Sequence, residues 1–306
     1  MISVLTGKDD AISLGKLDAK EISQKWQNSL GVDVGSMFRN LAAIEYWSCP
    51  TTGFCWYSPP EAAGGGELYM QLEKFDWYYM EDKWEFSAAL DLLKEASAVL
   101  EVGVGEGHFL QAARSRGHSG YGVELNPQCA ARVRAMDFEI HELMLDELKE
   151  TTDKRFDAIC AFQVLEHVPD PREFFEGMMG MLKPGGKMVL SVPNAAVMRK
   201  IDPHNQGLLN QPPHHMGHWD ENVFRALEHF LPVRVRSVHR EPLATYHVGW
   251  IVTGYLRNFL SPFGKTISRL LVNRYSTLPL QWLVRAGFRK YLPGHTLLVE
   301  LEYSPN

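Results

Sequence analysis

An apolar run, Val99-Leu100-Glu101-Val102, opens directly into three alternating glycines, Gly103, Gly105 and Gly107. A helix-spaced stripe follows through Phe109, Leu110, Ala112 and Ala113. The pattern reads as strand, tight loop and helix. Main chain without side chains lets a ligand lie close across the carboxyl end of a strand. Seventeen residues beyond Gly107, Tyr121-Gly122-Val123-Glu124-Leu125 reads as a second strand ending in a carboxylate. An acid there can accept both hydroxyls of an adenosine ribose, so the pair of motifs predicts an adenosine-containing cofactor.

Around this unit strand and helix patterns alternate. Strands are expected at 98–102, 120–124, 137–141, 156–162 and 187–192, then at 233–238 and, last, 295–303. Alternation of this kind predicts an α/β fold with a mostly parallel sheet, helices on both faces and a final antiparallel strand. Residues 1–66 read as a leading helix and hairpin element. Asp18 and Glu21 have capping-box spacing, Ile22, Trp26 and Leu30 form a stripe, and Gly31 can close the helix. Residues 44–49 and 54–57 flank the turn Pro50-Thr51-Thr52-Gly53, and Ala62 to Gly66 reads as a hinge or loop. The core is expected over 67–245, beginning with an aromatic lid helix that holds Tyr69, Phe75, Trp77, Tyr78, Tyr79, Trp84 and Phe86. A basic helical insertion or lid over 246–293 and a last core strand over 294–306 complete the division.

Two cofactors compete for the glycine loop. A nicotinamide or flavin dinucleotide sets its pyrophosphate on a helix amino terminus behind G-x-G-x-x-G, but His108 stands where that spacing wants a small residue. Further motifs follow in order. They are Phe156-Asp157-Ala158-Ile159-Cys160-Ala161-Phe162-Gln163-Val164-Leu165-Glu166-His167 and Met181-Leu182-Lys183-Pro184-Gly185-Gly186 leading into Val189-Leu190-Ser191-Val192-Pro193-Asn194. In this order the set closely resembles the class I S-adenosylmethionine-dependent methyltransferases over roughly residues 86–245 and the final strand. Among them it resembles the bacterial small-molecule and glycan type with a leading cysteine-bearing hairpin and a Pro212-Pro213-His214-His215-x-x-His218-Trp219 segment.

The resemblance implies a Rossmann-like methyltransferase sheet and S-adenosyl-L-methionine as cofactor. It implies that Gly103, Gly105 and Gly107 pack under that cofactor, that Glu101 lies near its methionine amino group and that Glu124, followed by Leu125, holds the ribose. Gln163 would stand beside the methionine portion. Leu143 and Met144 would line the adenine side, and Tyr79 would close over the site with Tyr78, Lys83 and Trp84. Each has a plainer reading as a cap, a turn or a packed aromatic face.

Methyl transfer to oxygen needs a positioned base, for which histidine is the usual candidate. His167 follows the fourth strand, and His214 and His215 follow the stiff Gln211-Pro212-Pro213 loop, so these three are the expected catalytic residues. A metal site from His214, His215 and His218 lacks paired carboxylates at suitable spacing, and none is expected. Cys49 and Cys55 resemble half of a zinc ribbon, but a structural zinc takes four ligands and Thr52 stands where a C-x-x-C partner would be.

The formal net charge of −6 disfavours a nucleic-acid partner. The charge is uneven, however. Between Glu241 and Glu300 there is no acid, while Arg257, Lys265, Arg269, Arg274, Arg285, Arg289 and Lys290 all lie there. Apolar stripes opposite purely positive charge suggest peripheral contact of 246–293 with an anionic membrane surface; a pocket lid with a solvated basic face is the plainer version. Both suit a small-molecule, glycan or lipid-linked acceptor. Four cysteines form no secreted framework, and the leading residues lack a basic-then-apolar pattern, so the cytoplasm is expected, with the inner membrane face as the site of any peripheral contact. The function expected is methylation of an acceptor oxygen; the rivals are an NAD(P)-dependent oxidoreductase and a non-catalytic cofactor-binding scaffold.

Overall fold

The computed structural model describes residues 1–94, 97–273 and 275–305. Its centre is a seven-stranded sheet built from β4 (Ala98–Val102), β5 (Ser119–Val123), β6 (Glu139–His141), β7 (Phe156–Phe162), β8 (Leu182–Pro193), β10 (Val233–Pro242) and β11 (Pro293–Tyr303). The order across the sheet is β10-β11-β8-β7-β4-β5-β6. Pairing is parallel from β8 through β6, and β11 runs antiparallel to both β8 and β10. The expected α/β architecture with its late antiparallel strand is therefore present.

The sequences of the central strands explain their position. In β7 every residue but Asp157 is buried, as a strand covered on both faces requires. Side chains alternate between two cores. Leu100, Val102, Ile159, Ala161, Leu190 and Leu297 belong to one, while Val99, Cys160, Phe162, Val189 and Leu298 belong to the other with Phe109 and Leu110. Strand order reverses between β4 and β7, the two neighbours on which the glycine loop and the Gln163 segment end. In open α/β sheets this switch point is where ligands bind, at the carboxyl ends of the strands.

A smaller antiparallel sheet comprises β1 (Ile12–Asp18), β2 (Ala43–Ser48), β3 (Cys55–Ser58) and β9 (Gly217–His218), in that order. The leading helix spans Ala19–Leu30. Asp18 accepts from the Glu21 amide at 2.8 Å, and Gly31 closes the other end at φ 64°. The hairpin does not stand apart from the rest. Gly217 and His218, from the Pro-Pro-His-His segment, extend its sheet through Trp56 and Cys55. Phe54, Trp56 and Cys49 join the main core on one side, while Ile44 and Tyr57 pack with Trp26 and Met216 on the other.

The loop expected over Ala62 to Gly66 is present at 63–65 and is pinned: the Gly64 amide donates to the Pro213 carbonyl at 2.7 Å, and a Cβ there would stand 2.3 Å from Leu68 Cδ2. One expectation needs correction. The aromatic stretch is not one helix: it forms helices at Gly66–Leu72 and Trp84–Leu90 with turns between them, although Phe75, Tyr78 and Tyr79 have helical spacing. Between β10 and β11 lie helices at Val248–Leu260, Lys265–Leu271 and Leu278–Arg285; the first packs on the helix Ala195–Ile201 and carries the other two, with Val197, Ile201, Ile251, Val252 and Val284 in one small core. Of the basic run there, Arg274 lies outside the described residues.

Candidate active site

The glycine loop leaves β4 with left-handed backbone at Gly103, Gly105 and Gly107 (φ 77°, 54° and 78°), which side-chain-bearing residues rarely adopt. At Gly103 space also forbids a side chain, since a Cβ would lie 2.6 Å from Val164 Cγ2. Glu124, at the end of β5, fixes the loop. One carboxylate oxygen accepts from the Gly105 amide at 2.8 Å, the other from the Asn126 amide at 2.7 Å. Burial raises its pKa, and these amides oppose the rise. The neighbouring strand ends are thus cross-linked through one carboxylate.

The ring of Tyr79 lies across this loop, its Cδ1 and Cε1 each 3.1 Å from where a Gly105 Cβ would be. A latch holds the segment there. Arg132 pairs with Glu73 at 2.6 Å and with Glu106 of the glycine loop at 2.7 Å, while the Asn126 amide nitrogen donates to Glu73 at 3.3 Å. Sequence reasoning missed Glu73, Asn126 and Arg132. Only Asn126 carried a signal, as the cap before Pro127 of the helix Pro127–Arg134. On the expected adenine side Leu125 and Met144 are exposed, whereas Leu143 packs against the main core.

On the other side of the loop the site is crowded with carboxyl groups. Glu85, Glu101 and Glu166 are all buried, and Lys83 is the cation whose field reaches each of them. Burial raises all three, Glu166 to about 8 and Glu101 well above the carboxylate range. Glu101 Oε2 and Glu166 Oε2 are buried without a hydrogen-bond partner. A buried charge without a partner is costly, so this arrangement is complementary to a ligand that brings positive charge. Lys83, expected to meet the cofactor's carboxylate, is also the cation whose charge lowers all three of these acids. Gln163 is the residue whose backbone carries strain here: it has φ 55°, its amide donates to the Ser191 carbonyl, and its side chain donates to Ser191 Oγ at 3.3 Å.

The fold brings His167, His214 and His215 together. Ring centroids lie 4.6 Å apart for His167–His214, 5.1 Å for His167–His215 and 4.6 Å for His214–His215. Each Nδ1 is held by a carbonyl oxygen: His167 donates to the His214 carbonyl, His214 to Leu209 at 2.9 Å and His215 to Asn210 Oδ1 at 3.2 Å. Burial lowers all three pKa values, to about 4 for His167 and about 3 for His214. The rings are neutral at pH 7. His218 is not part of this group, since Tyr46 Oη donates to its Nδ1 at 2.7 Å and its Nε2 donates to the Asn210 carbonyl at 3.0 Å. His295, buried and lowered to about 3 by desolvation, lies on the far side and packs at a tilt against His247 and Trp250 at the start of the basic segment.

With this geometry in view, the likenesses to known proteins are informative. Residues 70–239, more than half of the chain, match the family described as a methyltransferase domain. A stretch of 106 residues is 30% identical to the ubiquinone biosynthesis O-methyltransferase of Alkalilimnicola ehrlichii, covering 33% of this chain and 43% of that one. The protein of the same name from Pseudomonas entomophila is 31% identical over 102 residues, covering 31% and 44%. The match spans less than half the length of these relatives. Among solved structures, a SAM dependent methyltransferase from Archaeoglobus fulgidus aligns over 76% of this chain and 99% of its own, at 16% identity and a TM-score of 0.47.

Proposed function

The chain belongs to the methyltransferase-domain family, and from that premise we propose that it transfers a methyl group from S-adenosyl-L-methionine to an oxygen of a small-molecule, glycan or lipid-linked acceptor. One observation carries the reading. Glu101 and Glu124 lie at the carboxyl ends of the adjacent strands β4 and β5, beside the switch point, with the left-handed glycine loop between them, and a Glu101 oxygen is buried with nothing to bind. A ligand with a cationic amino acid end and a neutral ribose fits that pair; a dinucleotide, whose pyrophosphate brings negative charge to the same place, does not.

When bound, S-adenosylmethionine supplies a methyl group made electrophilic by its sulfonium sulfur. Glu124 would accept the ribose hydroxyls while keeping its hold on the Gly105 and Asn126 amides. Glu101, with Gln163 beside it, would hold the methionine ammonium, and the acids around Lys83 would favour positive charge there. Tyr79 and its segment, held by the Glu73–Arg132–Glu106 latch, would keep water out, which matters because methyl transfer depends on in-line placement rather than on solvent. The His167–His214–His215 cluster is the acceptor end, where an imidazole Nε2 takes the hydroxyl proton. His167 is its most accessible member, with 13% of the side chain exposed. Calorimetry with S-adenosylhomocysteine and with NAD, followed by transfer of labelled methyl into fractionated glycan and lipid extracts, tests the proposal. Binding of NAD alone would favour the oxidoreductase, and cofactor binding with no labelled acceptor the scaffold.

A second observation points to where the enzyme works. On 246–293 the outward rings Phe259, Phe263, Trp282 and Tyr291 are between 67% and 76% exposed, beside Arg257, Arg285, Arg289 and Lys290 and no acid. Isolated exposed apolar residues are ordinary, but a continuous set with one sign of charge is a docking surface. Among the described residues no helix is long and apolar enough to cross a membrane. We infer peripheral docking on the anionic inner face of a membrane, with the acceptor delivered past His247 and Trp250. The relatives are O-methyltransferases of ubiquinone biosynthesis, which accords with transfer to an oxygen of a small-molecule acceptor.

A further inference from the structure

We propose that His167, His214 and His215 bind one divalent transition-metal ion of the zinc type. Each of the three offers a ligand atom, and these atoms all lie within 4.8 Å of one another. The three residues come from separate places: His167 from the turn after β7, His214 and His215 from the loop before β9.

The orientation of the rings is what distinguishes the group from chance packing. A histidine that binds a metal through one nitrogen almost always donates the other N–H to a carbonyl or carboxylate, which fixes the tautomer and aims the lone pair. All three rings meet that condition, through the carbonyls of His214 and Leu209 and the side-chain oxygen of Asn210. The Nδ1 atoms of the stacked His214 and His215 both turn back toward residues 209 and 210, so their Nε2 atoms face the other way together. His214 Nε2 is buried and has no hydrogen-bond partner, a lone pair aimed into protein with no donor to meet it. Beside the group Glu166 lies buried, with Oε1 3.9 Å from His167 Nε2 and Oε2 also unpartnered. An ion at the centre would satisfy the orphaned His214 nitrogen.

The donor set selects the ion. Three neutral imidazoles suit zinc and its neighbours in the first transition row, whereas magnesium and calcium demand oxygen. Zinc–nitrogen bonds are about 2.0–2.1 Å long, so the ring nitrogens need only close in by roughly an ångström. Three protein ligands leave a fourth position for an outside oxygen, the pattern of catalytic rather than structural sites. The proposal goes beyond the methyl-transfer reading and rests on it only for the ion's use. With the ion bound the three imidazoles are ligands and no longer bases, so the ion replaces them in activating the acceptor: a hydroxyl at the open position would be acidified, its proton passing to bulk solvent as the acceptor binds.

The test uses the full chain, freed of metal with a chelator and titrated with Co²⁺ in the visible range, then with Zn²⁺ in competition. S-adenosylhomocysteine calorimetry on the same samples reports the fold and the methyl-transfer reading separately. We expect one Co²⁺ per chain, displaced by Zn²⁺ and untouched by excess Mg²⁺. His214→Gln should abolish binding, and His229→Gln, at an exposed histidine, should leave it intact. Asn210→Ala, which removes the oxygen holding His215 Nδ1 along with a side-chain hydrogen bond to Asn205, should weaken it about 10- to 100-fold, and Asn205→Ala, which removes the second bond but spares that oxygen, should not. His215→Gln and Asn210→Ala decide the matter if His214→Gln does not fold. A chain that binds S-adenosylhomocysteine but no Co²⁺, or whose Co²⁺ affinity is the same in His215→Gln and Asn210→Ala, overturns the proposal. Co²⁺ bound at the cluster without S-adenosylhomocysteine binding would uphold it and overturn the methyl-transfer reading instead.

Discussion

Glu124→Gln separates holding the loop from holding the ligand. In the protein the carboxylate accepts two main-chain amides, from Gly105 at 2.8 Å and Asn126 at 2.7 Å, at a residue only 8% exposed. Hydrogen bonds to a charged group contribute about 1.5–3 kcal/mol each. Glutamine keeps one acceptor and turns an NH₂ toward the other amide. It therefore loses one such bond and leaves a buried N–H unpaired, a cost of roughly 2–4 kcal/mol in stability. The same change removes charge from the acceptor of the ribose hydroxyls, for about 2–3 kcal/mol more, or a 30- to 150-fold loss of affinity for S-adenosylhomocysteine. Guanidinium unfolding gives the first quantity and calorimetry on the folded variant the second. Glu124→Ala should lose more of both. A Glu124→Gln chain that unfolds at a lower denaturant concentration yet binds S-adenosylhomocysteine within about threefold of the parent would refute the ribose assignment and leave Glu124 a loop clamp.

Gly105→Ala combines left-handed backbone with a Cβ 3.1 Å from the Tyr79 ring, so about 1–3 kcal/mol of stability and at least tenfold in cofactor affinity should be lost together, measured by thermal unfolding and calorimetry. Arg132→Gln opens the latch to Glu73 and Glu106; stopped-flow binding should show faster association and release of S-adenosylhomocysteine, with under about 1 kcal/mol lost from these partly exposed pairs. His218 is buried and lowered to about 4, chiefly by desolvation, so below pH 6.5 the unfolded chain binds a proton that the folded chain refuses. Its contribution is whole above pH 6.5 and shrinks as pH falls toward 4, so the parent should lose about 2 kcal/mol more than His218→Gln between pH 7 and 5, read from paired denaturation curves. The parent–variant difference is needed because Glu166, raised to about 8, works the opposite way, its cost easing as pH falls. Replacing Arg285 and Lys290 by Gln should weaken binding to phosphatidylserine vesicles by about 2 kcal/mol, roughly 30-fold, and raised salt should mimic it.

What the residues revealed before folding, and what they hid, divides along a physical line. β4 and β7 were legible to the residue, because strands buried on both faces are near-continuous apolar runs with few other uses. The leading helix was legible from its cap and its closing glycine, both local signals. β1 was not: six of its seven residues are exposed, so no alternation marks it, and only pairing with β2 makes it a strand. β9 is two residues long and is created by the edge of β3. The aromatic stretch misled in the opposite way: Phe75, Tyr78 and Tyr79 have helical spacing, yet their segment folds as turns.

The same line runs through the site. Glu101, Glu124 and the glycines were legible because chain direction alone brings them to one sheet edge. Arg132 was not, because its partners Glu73 and Glu106 lie 59 and 26 residues away and meet it only after the lid has folded over the loop. The histidines show the division most sharply. The sequence grouped His167 with His214 and His215 as candidate bases and set His218 beside His214 and His215 only for a metal site; β9 commits His218 to Tyr46 and the Asn210 carbonyl, and the turn after β7 brings His167 to the other two. That sorting follows from hydrogen bonding, not from proximity. A ring whose two nitrogens are both satisfied is finished as structure, whereas one fixed at Nδ1 with Nε2 left buried and bare has been oriented at a cost that folding alone does not return. By that criterion His214 belongs with Glu101 and Glu166, whose buried oxygens also lack partners, and these three mark the place where the protein is complementary to something other than itself.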